Sequence, residues 1–400
     1  MSRLDELIRE LCPDGVRYMT LGDIGKVSMC KRILKSETSS TGDIPFYKIG
    51  TFGKEADSYI TKETFEKYNQ RYPYPQRGDI LISAAGTIGR TVVFDGKPAY
   101  FQDSNIVWIT NDESKVLNCF LYYWYQTQPW VASTGGTISR LYNDNISNAP
   151  VPVPPIEVQR EIVRILDKFT ELSAELSAEL SARQRQYSYY REKLLTRENA
   201  WKHGRIIDML AQPITDGPHT TPTFVSDGVP FISVDAIWDG KIHFENKRGS
   251  ITSAFDEECC KKYKPQKHDV YMVKSGSTTG KVAYVDTDDR FNIWSPLAAM
   301  RVNANNSSRY LFHLLQTEKV QNQVRAHASH GSQPNLSMRV LEQFEVDIPP
   351  LAVQQRIVSI LDNFDAICSD LESGLPAEIE ARRKQYEYYR DKLLTFKPLA

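Results

Sequence analysis

VPVPPIEVQREIVRILD (residues 151–167) returns as VDIPPLAVQQRIVSILD (residues 346–362), 195 residues further along the chain. Each copy runs through a charged helical stretch into a second shared phrase, RQYSYYREKLLT (residues 185–196) and KQYEYYRDKLLT (residues 384–395), now 199 residues apart. Two phrases repeated in the same order, with the same kind of filler between them, define an internal duplication whose first copy is four residues shorter. The chain therefore divides into a variable region (1–150), a helical region (151–200), a second variable region (201–345) and a second helical region (346–400).

Within the helical regions Ile162, Ile165, Leu166, Phe169, Leu172, Leu176 and Leu180 recur at three- and four-residue steps, as do Ile357, Ile360, Leu361, Phe364, Ile367 and Leu371. Pro154-Pro155 and Pro349-Pro350 precede them, where proline ends an extended segment and tolerates a helix start. Forty residues of helix span about 60 Å, more than one domain needs. A helix that long with one apolar stripe requires a partner, and its own duplicate is the obvious one. The expectation is an α+β protein in which two β-rich mixed domains are joined by two long antiparallel helices, a coiled coil with an approximate twofold axis. The first helix also carries Glu-Leu-Ser-Ala three times, over residues 171–182. Each unit adds about 6 Å and turns the helix about 40° beyond a full turn, so their number acts as a ruler between the flanking domains.

The variable regions echo each other. Gly42-Asp43-Ile44-Pro45-Phe46 parallels Asp227-Gly228-Val229-Pro230-Phe231, and Gly78-Asp79-Ile80-Leu81-Ile82-Ser83 parallels His268-Asp269-Val270-Tyr271-Met272-Val273. Each then reaches a strand, a glycine loop ending in a cation (Gly86 to Arg90, Ser277 to Lys281) and another strand.

With 400 residues, 41% hydrophobic and 25% charged, the chain suits two domains with sizeable cores, and no stretch approaches a membrane span. The charged, amphipathic N-terminus has no apolar segment before a cleavage site, and a cytoplasmic protein is expected. The six cysteines lack zinc or disulfide spacing and are expected as free thiols. A net charge of −1 is low for a protein that grips nucleic acid alone, so any such contact must use local patches or a partner's charge.

Signs of catalysis are missing. Around Gly280-Lys281 the phosphate-loop pattern fails, because Ser275 stands where its first glycine belongs and Val282 where Ser or Thr must follow. Asp239 with Glu245 and Lys247 is a nuclease-like scatter without a counterpart in the first variable region. All seven histidines lie in the second variable region, whereas a duplicated enzyme relying on histidine would show it in both halves. No catalytic residue and no metal ligand is assigned.

Surface chemistry suggests contacts instead. Thr87 and Arg90, with Thr278 and Lys281, could offer backbone N–H groups and a cation to a phosphate, or simply form tight hairpins. Arg140, Gln333 and Asn335 sit in loops about fifteen residues before the helices and are side chains able to bond base edges, although turn chemistry alone would also suit them. Tyr187, Tyr190 and Arg191, with Tyr386, Tyr389 and Arg390, form aromatic and arginine clusters of the kind that anchors a protein partner; packing between the helices is the alternative.

These phrases together closely resemble the specificity subunit of type I restriction-modification systems, over essentially the whole chain. The resemblance implies a non-catalytic subunit whose two target recognition domains each read one part of a split, asymmetric sequence in double-stranded DNA. It implies partners too: two methyltransferase subunits, which bind S-adenosylmethionine, and restriction (motor) subunits, which use ATP and Mg, with no cofactor on this chain. A smaller system with a fused methyltransferase-nuclease partner, and a duplicated coiled-coil adaptor that does not touch DNA, remain open on sequence alone. Deleting one Glu-Leu-Ser-Ala unit is expected to preserve both half-sites and shorten only the spacer between them, by nearly two base pairs at about 3.4 Å each; sequencing of methylated positions reads this directly.

Overall fold

The computed structural model describes residues 3–131, 140–196, 201–329, 334–369 and 374–399. The chain forms two compact units, one from Met1–Glu175 with Glu380–Ala400, the other from Leu176–Ile379. The helix Ile156–Leu195 begins in the first unit and ends in the second, and passes between them inside the Glu-Leu-Ser-Ala repeats.

Both units contain the same four-stranded and three-stranded sheets, and the second adds a two-stranded ribbon, Ile237–Trp238 with Lys241–Ile242. In the first, Gly25–Met29, Ile106–Asn111, Ile80–Ser83 and Thr91–Val93 lie side by side as a four-stranded antiparallel sheet. Next to it Ile44–Tyr47 pairs antiparallel with Tyr59–Ile60 and parallel with Tyr100–Phe101. In the second unit the four-stranded order is Thr215–Asp216, Leu297–Met300, Val270–Val273 and Val282–Tyr284. Val229–Ile232 there pairs antiparallel with Gly249–Ile251 and parallel with Asn292–Ile293. The faint sequence echoes thus mark the central strands of matching sheets.

The central strands are buried on both faces, and side-chain alternation assigns each residue to one of two cores. Ile80, Ile82 and Val107 face a cluster that includes Val158, Ile162 and Leu166 of the long helix. Leu81, Ile106 and Trp108 face a second cluster built with Phe46, Tyr100 and Phe101. The second unit repeats the division: Val270, Met272 and Ala298 pack with Ile357 and Leu361, whereas Tyr271, Val273 and Leu297 pack with Ile232 and Ile293. Slipping either strand by one residue would exchange both sets of contacts at once.

Short ribbons lead into the helices, Arg17–Thr20 against Pro150–Val153 and Lys202–Arg205 against Glu345–Ile348. Beyond each ribbon, the glutamine of the repeated phrase is fully buried. Gln159 Oε1 accepts the Leu117 N–H (2.8 Å), while Nε2 donates to the carbonyls of Lys115 and Pro154 (2.8 Å each). Gln354 Oε1 accepts the Ser307 N–H (2.8 Å), and Nε2 donates to Asn306 Oδ1 and the Pro349 carbonyl (2.8 Å each). Leu117 and Ser307 are the N-cap residues of Asn118–Tyr125 and Ser308–Leu315, so one side chain fixes the start of each long helix against the start of a domain helix.

The second helical region comprises two helices, Leu351–Ser369 and Leu375–Leu394, where periodicity suggests one; Leu371 of the expected stripe lies outside the described residues. Pro376 occupies the first turn of the latter helix, where it needs no backbone donor. The expected antiparallel pairing is found within each unit. In the first, Phe169 near the start of Ile156–Leu195 stacks on Tyr389 near the end of Leu375–Leu394 (ring centroids 5.5 Å, 24°). In the second, Phe364 near the end of the repeated entry phrase stacks on Tyr190 (5.5 Å, 22°). The residues 395–399 then return to the N-terminal segment: Val16 N–H bonds the Lys397 carbonyl (2.8 Å) and Leu399 N–H bonds the Val16 carbonyl (2.9 Å).

No helix among the described residues is long and apolar enough to cross a membrane. The six cysteines are free, four of them buried. Replacing Gln159 or Gln354 by Leu leaves one N–H and two acceptors without a partner. Each change is expected to cost about 2–4 kcal/mol, measured by denaturant unfolding of the purified chain, with similar losses in the two copies.

Candidate nucleic-acid interface

The loops carrying Thr87 and Arg90, and Thr278 and Lys281, are the hairpins that follow the doubly buried strands Ile80–Ser83 and Val270–Val273. Their closure is the same in both units. Gly89 N–H bonds the Ser83 carbonyl (2.9 Å), and Gly280 N–H bonds the Val273 carbonyl (2.8 Å). Both glycines have positive φ, 77° and 97°. A Cβ there would also strike a glutamine, Gln128 at 2.1 Å or Gln321 at 2.7 Å. These glutamines bond the glycine carbonyls, Gln128 Nε2 to Gly89 (3.2 Å) and Gln321 Nε2 to Gly280 (3.0 Å). Glycine is required at both positions for φ and for space.

Residues far apart in sequence meet at these hairpins. Arg140 forms an isolated antiparallel bridge with Ala85, and Asn335 forms the equivalent bridge with Ser275. Arg140 and Asn335 therefore belong to the same edge as Thr87 with Arg90, and Thr278 with Lys281. Gln333 lies outside the described residues, as does Gly135 to Ser139 of the first loop.

The side chains differ in readiness. Arg90 turns its guanidinium onto the Phe52 carbonyl (Nη1 to O 2.9 Å), and its N–H is held by Ser83 Oγ (2.8 Å). Arg140 donates to the Ser104 carbonyl (2.8 Å) with its guanidinium 5.9 Å from the Tyr142 ring centroid. Thr87, Lys281 and Asn335 are exposed, whereas Thr278 Oγ1 is buried with no hydrogen-bond partner among the described residues. Among the described residues no group of His, Cys, Asp and Glu could hold a metal ion.

The six aromatic and arginine residues of the exit phrases are occupied inside their own units. Tyr187 bonds His313 Nδ1 through its hydroxyl (3.2 Å) and stacks on Phe364 (6.4 Å), which also receives Tyr190. Arg191 lies over the Tyr187 ring and donates to Gln316 Oε1 (3.3 Å), with Nε buried and without a hydrogen-bond partner among the described residues. Tyr386 donates to Gln126 Oε1 (2.7 Å), and Arg390 lies over the Tyr386 ring and pairs with Asp391 (2.7 Å). The most exposed tyrosines of the phrases are Tyr189 and Tyr388, 60% and 63% exposed, each beneath a lysine, Lys193 or Lys392. Both belong to the tyrosine clusters of the exit phrases, between Tyr187 and Tyr190 and between Tyr386 and Tyr389.

Beneath the first exit phrase is a charged junction. His313 is fully buried and its Nε2 lies 2.8 Å from Asp362 Oδ1, which Arg309 also contacts (2.5 Å). Its counterpart in the first unit is Tyr123, whose hydroxyl donates to Asp167 (2.5 Å).

Two stretches of the chain, residues 13–183 and 220–381, match the type I restriction modification DNA specificity domain. The chain belongs to that family, as a specificity subunit with two recognition domains. A type I restriction enzyme specificity subunit of Escherichia coli is 31% identical over 99% of this chain and 97% of its own length. A protein of Haemophilus influenzae named as such a subunit is 57% identical over 45% of this chain and 48% of its own length, so the chain spans about half of that relative. The fold is that of the type I system S subunit of M. genitalium (TM-score 0.53, 13% identity, 95% of this chain and 96% of that one). It is also that of a chain from a structure describing assembly and conformational transition of the type I system (TM-score 0.61, 16% identity, 96% and 98%).

Burial holds the pKa of His313 below the usual imidazole value despite the bond to Asp362. A depressed folded-state pKa means that the neutral form stabilises the fold above the unfolded value of about 6.5. That stability is lost as pH falls below it. The second unit is therefore expected to melt at lower temperature at pH 5 than at pH 7.5, and His313→Gln is expected to flatten this dependence in calorimetric scans. Lys281→Gln is expected to leave the melting temperature unchanged and weaken DNA binding several-fold, whereas Arg90→Gln, which removes the bond to Phe52, is expected to lower both.

Proposed function

We propose that this chain is the non-catalytic DNA-reading subunit of a cytoplasmic type I restriction-modification complex, with each unit reading one part of a split, asymmetric target. The observation that carries this reading is the repetition of one architecture with different loop chemistry. Both units present a glycine hairpin and a bridged second loop on one edge, with a threonine common to both (Thr87, Thr278), yet Arg90 and Arg140 are replaced by Lys281 and Asn335. Identical scaffolds with divergent edge residues suit two readers of different half-sites. Thr87 and Lys281 would take backbone phosphates, with Arg90 and the backbone of Thr278 shaping the two hairpins that present them, and Arg140, Gln333 and Asn335 would take base edges.

The helix joining the units supplies the spacing. It continues through all three Glu-Leu-Ser-Ala units without a break, so an added tetrapeptide must shift and rotate the downstream end of the helix. The exit phrases would receive two methyltransferase subunits, with exposed Tyr189 and Tyr388 as centres of contact and Tyr187, Tyr190, Arg191, Tyr386, Tyr389 and Arg390 supporting them. S-adenosylmethionine would reside on the methyltransferases, and ATP with Mg on the restriction subunits. The near-neutral charge fits such a division of labour, because other subunits can supply much of the positive surface around DNA.

The test is to express the chain with its cognate methyltransferase subunit in a host lacking other methylation and map modified bases across the genome. A single bipartite motif, modified in both parts, is expected. A well-formed complex that methylates nothing, or without regard to sequence, overturns the reading.

A further inference from the structure

Outside the hairpin edge, the second unit contains a charge cluster to which the first has no counterpart. Asp216 ends the strand Thr215–Asp216 and is 1% exposed. Two lysines and a histidine converge on its carboxylate. Lys262 contacts Oδ1 from the last turn of Ser253–Lys262, and Lys274 Nζ and His219 Nε2 each lie 3.3 Å from Oδ2. Lys262 also reaches the Gly217 carbonyl (3.4 Å). The segment that carries Asp216 and His219 is tightly placed: a Cβ on Gly217 would lie 1.8 Å from the Ile293 carbonyl oxygen, and the Pro218 carbonyl accepts the Ser295 N–H (3.3 Å).

A buried carboxylate demands a partner, and one lysine satisfies that demand. Here there are two, plus a histidine, so the cluster holds at least one positive charge in excess. That excess is at the surface, since Lys262 is 50% and His219 74% exposed while the carboxylate is hidden. It is also beside the candidate interface. Lys274 directly precedes the Ser275–Lys281 loop, and its carbonyl accepts the Leu336 N–H (2.8 Å), next to Asn335. In the first unit, strand pairing puts Met29 and Ala84 at the positions of Asp216 and Lys274. Both are part of, or packed against, an apolar core there.

We propose that Asp216 is a buried anchor that holds Lys262 and Lys274, with His219, as a phosphate clamp on the DNA backbone of the half-site read by the second unit. This deepens the functional reading above and rests on it. The clamp acts on register and affinity and carries no base information. It gives the two units unequal electrostatic grip, because the first has an apolar contact in its place.

The test uses the complex with the cognate methyltransferase and a duplex containing the methylated motif, titrated at several salt concentrations. Lys262→Gln and Lys274→Gln are each expected to make the slope of log K against log salt shallower by about 0.9, the contribution of one neutralised phosphate, with the methylated sequence unchanged. Lys261→Gln, an exposed neighbour paired with Glu258, is the control and should leave the slope as it is. Lys262 is half exposed, so its variant also serves if Lys274→Gln does not fold. A folded Lys262→Gln complex with the wild-type slope overturns the clamp and leaves the lysines as counter-ions of Asp216. A wild-type complex that shows no preference for the motif sinks the DNA-reading assignment itself, before any variant is compared.

Discussion

Two buried amides, Gln159 and Gln354, set the geometry on which the rest depends. A long helix can present its apolar stripe to a domain only if its first turn is fixed in position and rotation. Here that turn comes after a proline pair, which withholds backbone donors just where the chain changes direction. Each glutamine compensates by spending all three of its hydrogen bonds on neighbouring backbone and side-chain groups. An apolar residue could fill the space but would strand the N–H that begins a domain helix, a costly loss in a dry site. The entry phrase recurs so closely because it encodes a joint.

The sandwich of each unit is built out from this joint. The helix forms one wall, the small three-stranded sheet the other, and the strands Ile80–Ser83 and Val270–Val273 run between them with both faces covered. Such strands cannot slide, so the hairpins at their ends are held on rigid supports. The loops that must differ between the units are thereby carried by the parts that differ least.

Much of this was legible in the sequence. Two phrases repeated in the same order disclosed the duplication, three- and four-residue periodicity the helices, and a strand leading into a glycine loop the hairpins. The antiparallel pairing followed from a need for burial. The meeting of Arg140 with Ala85, and of Asn335 with Ser275, was not legible, since pairing across some sixty residues leaves no local pattern. Nor was the inward engagement of Tyr187 and Tyr386: a tyrosine in a helical phrase reads alike whether it faces a neighbour or water. The division of the second helical region escaped because Gly374 and Pro376 suit a helix start as well as an interruption. The cluster at Asp216 was hidden for a different reason, its members being four residues scattered over three elements.

The way the chain closes has a consequence for its synthesis. One unit is contiguous, Leu176–Ile379, while the other needs the first 175 residues together with the last twenty-one. Leu394 and Phe396 are core members of that split unit, and Val16 pairs with the segment around Lys397. The second unit can thus complete its core before residues 380–400 are made, although it begins later in the sequence. The first must wait, with part of its apolar surface uncovered, until the final helix emerges and closes a very long loop. Order of synthesis and order of folding are inverted between the two units, and the stretch from Glu380 onward is what seals the unit begun by the first 175 residues.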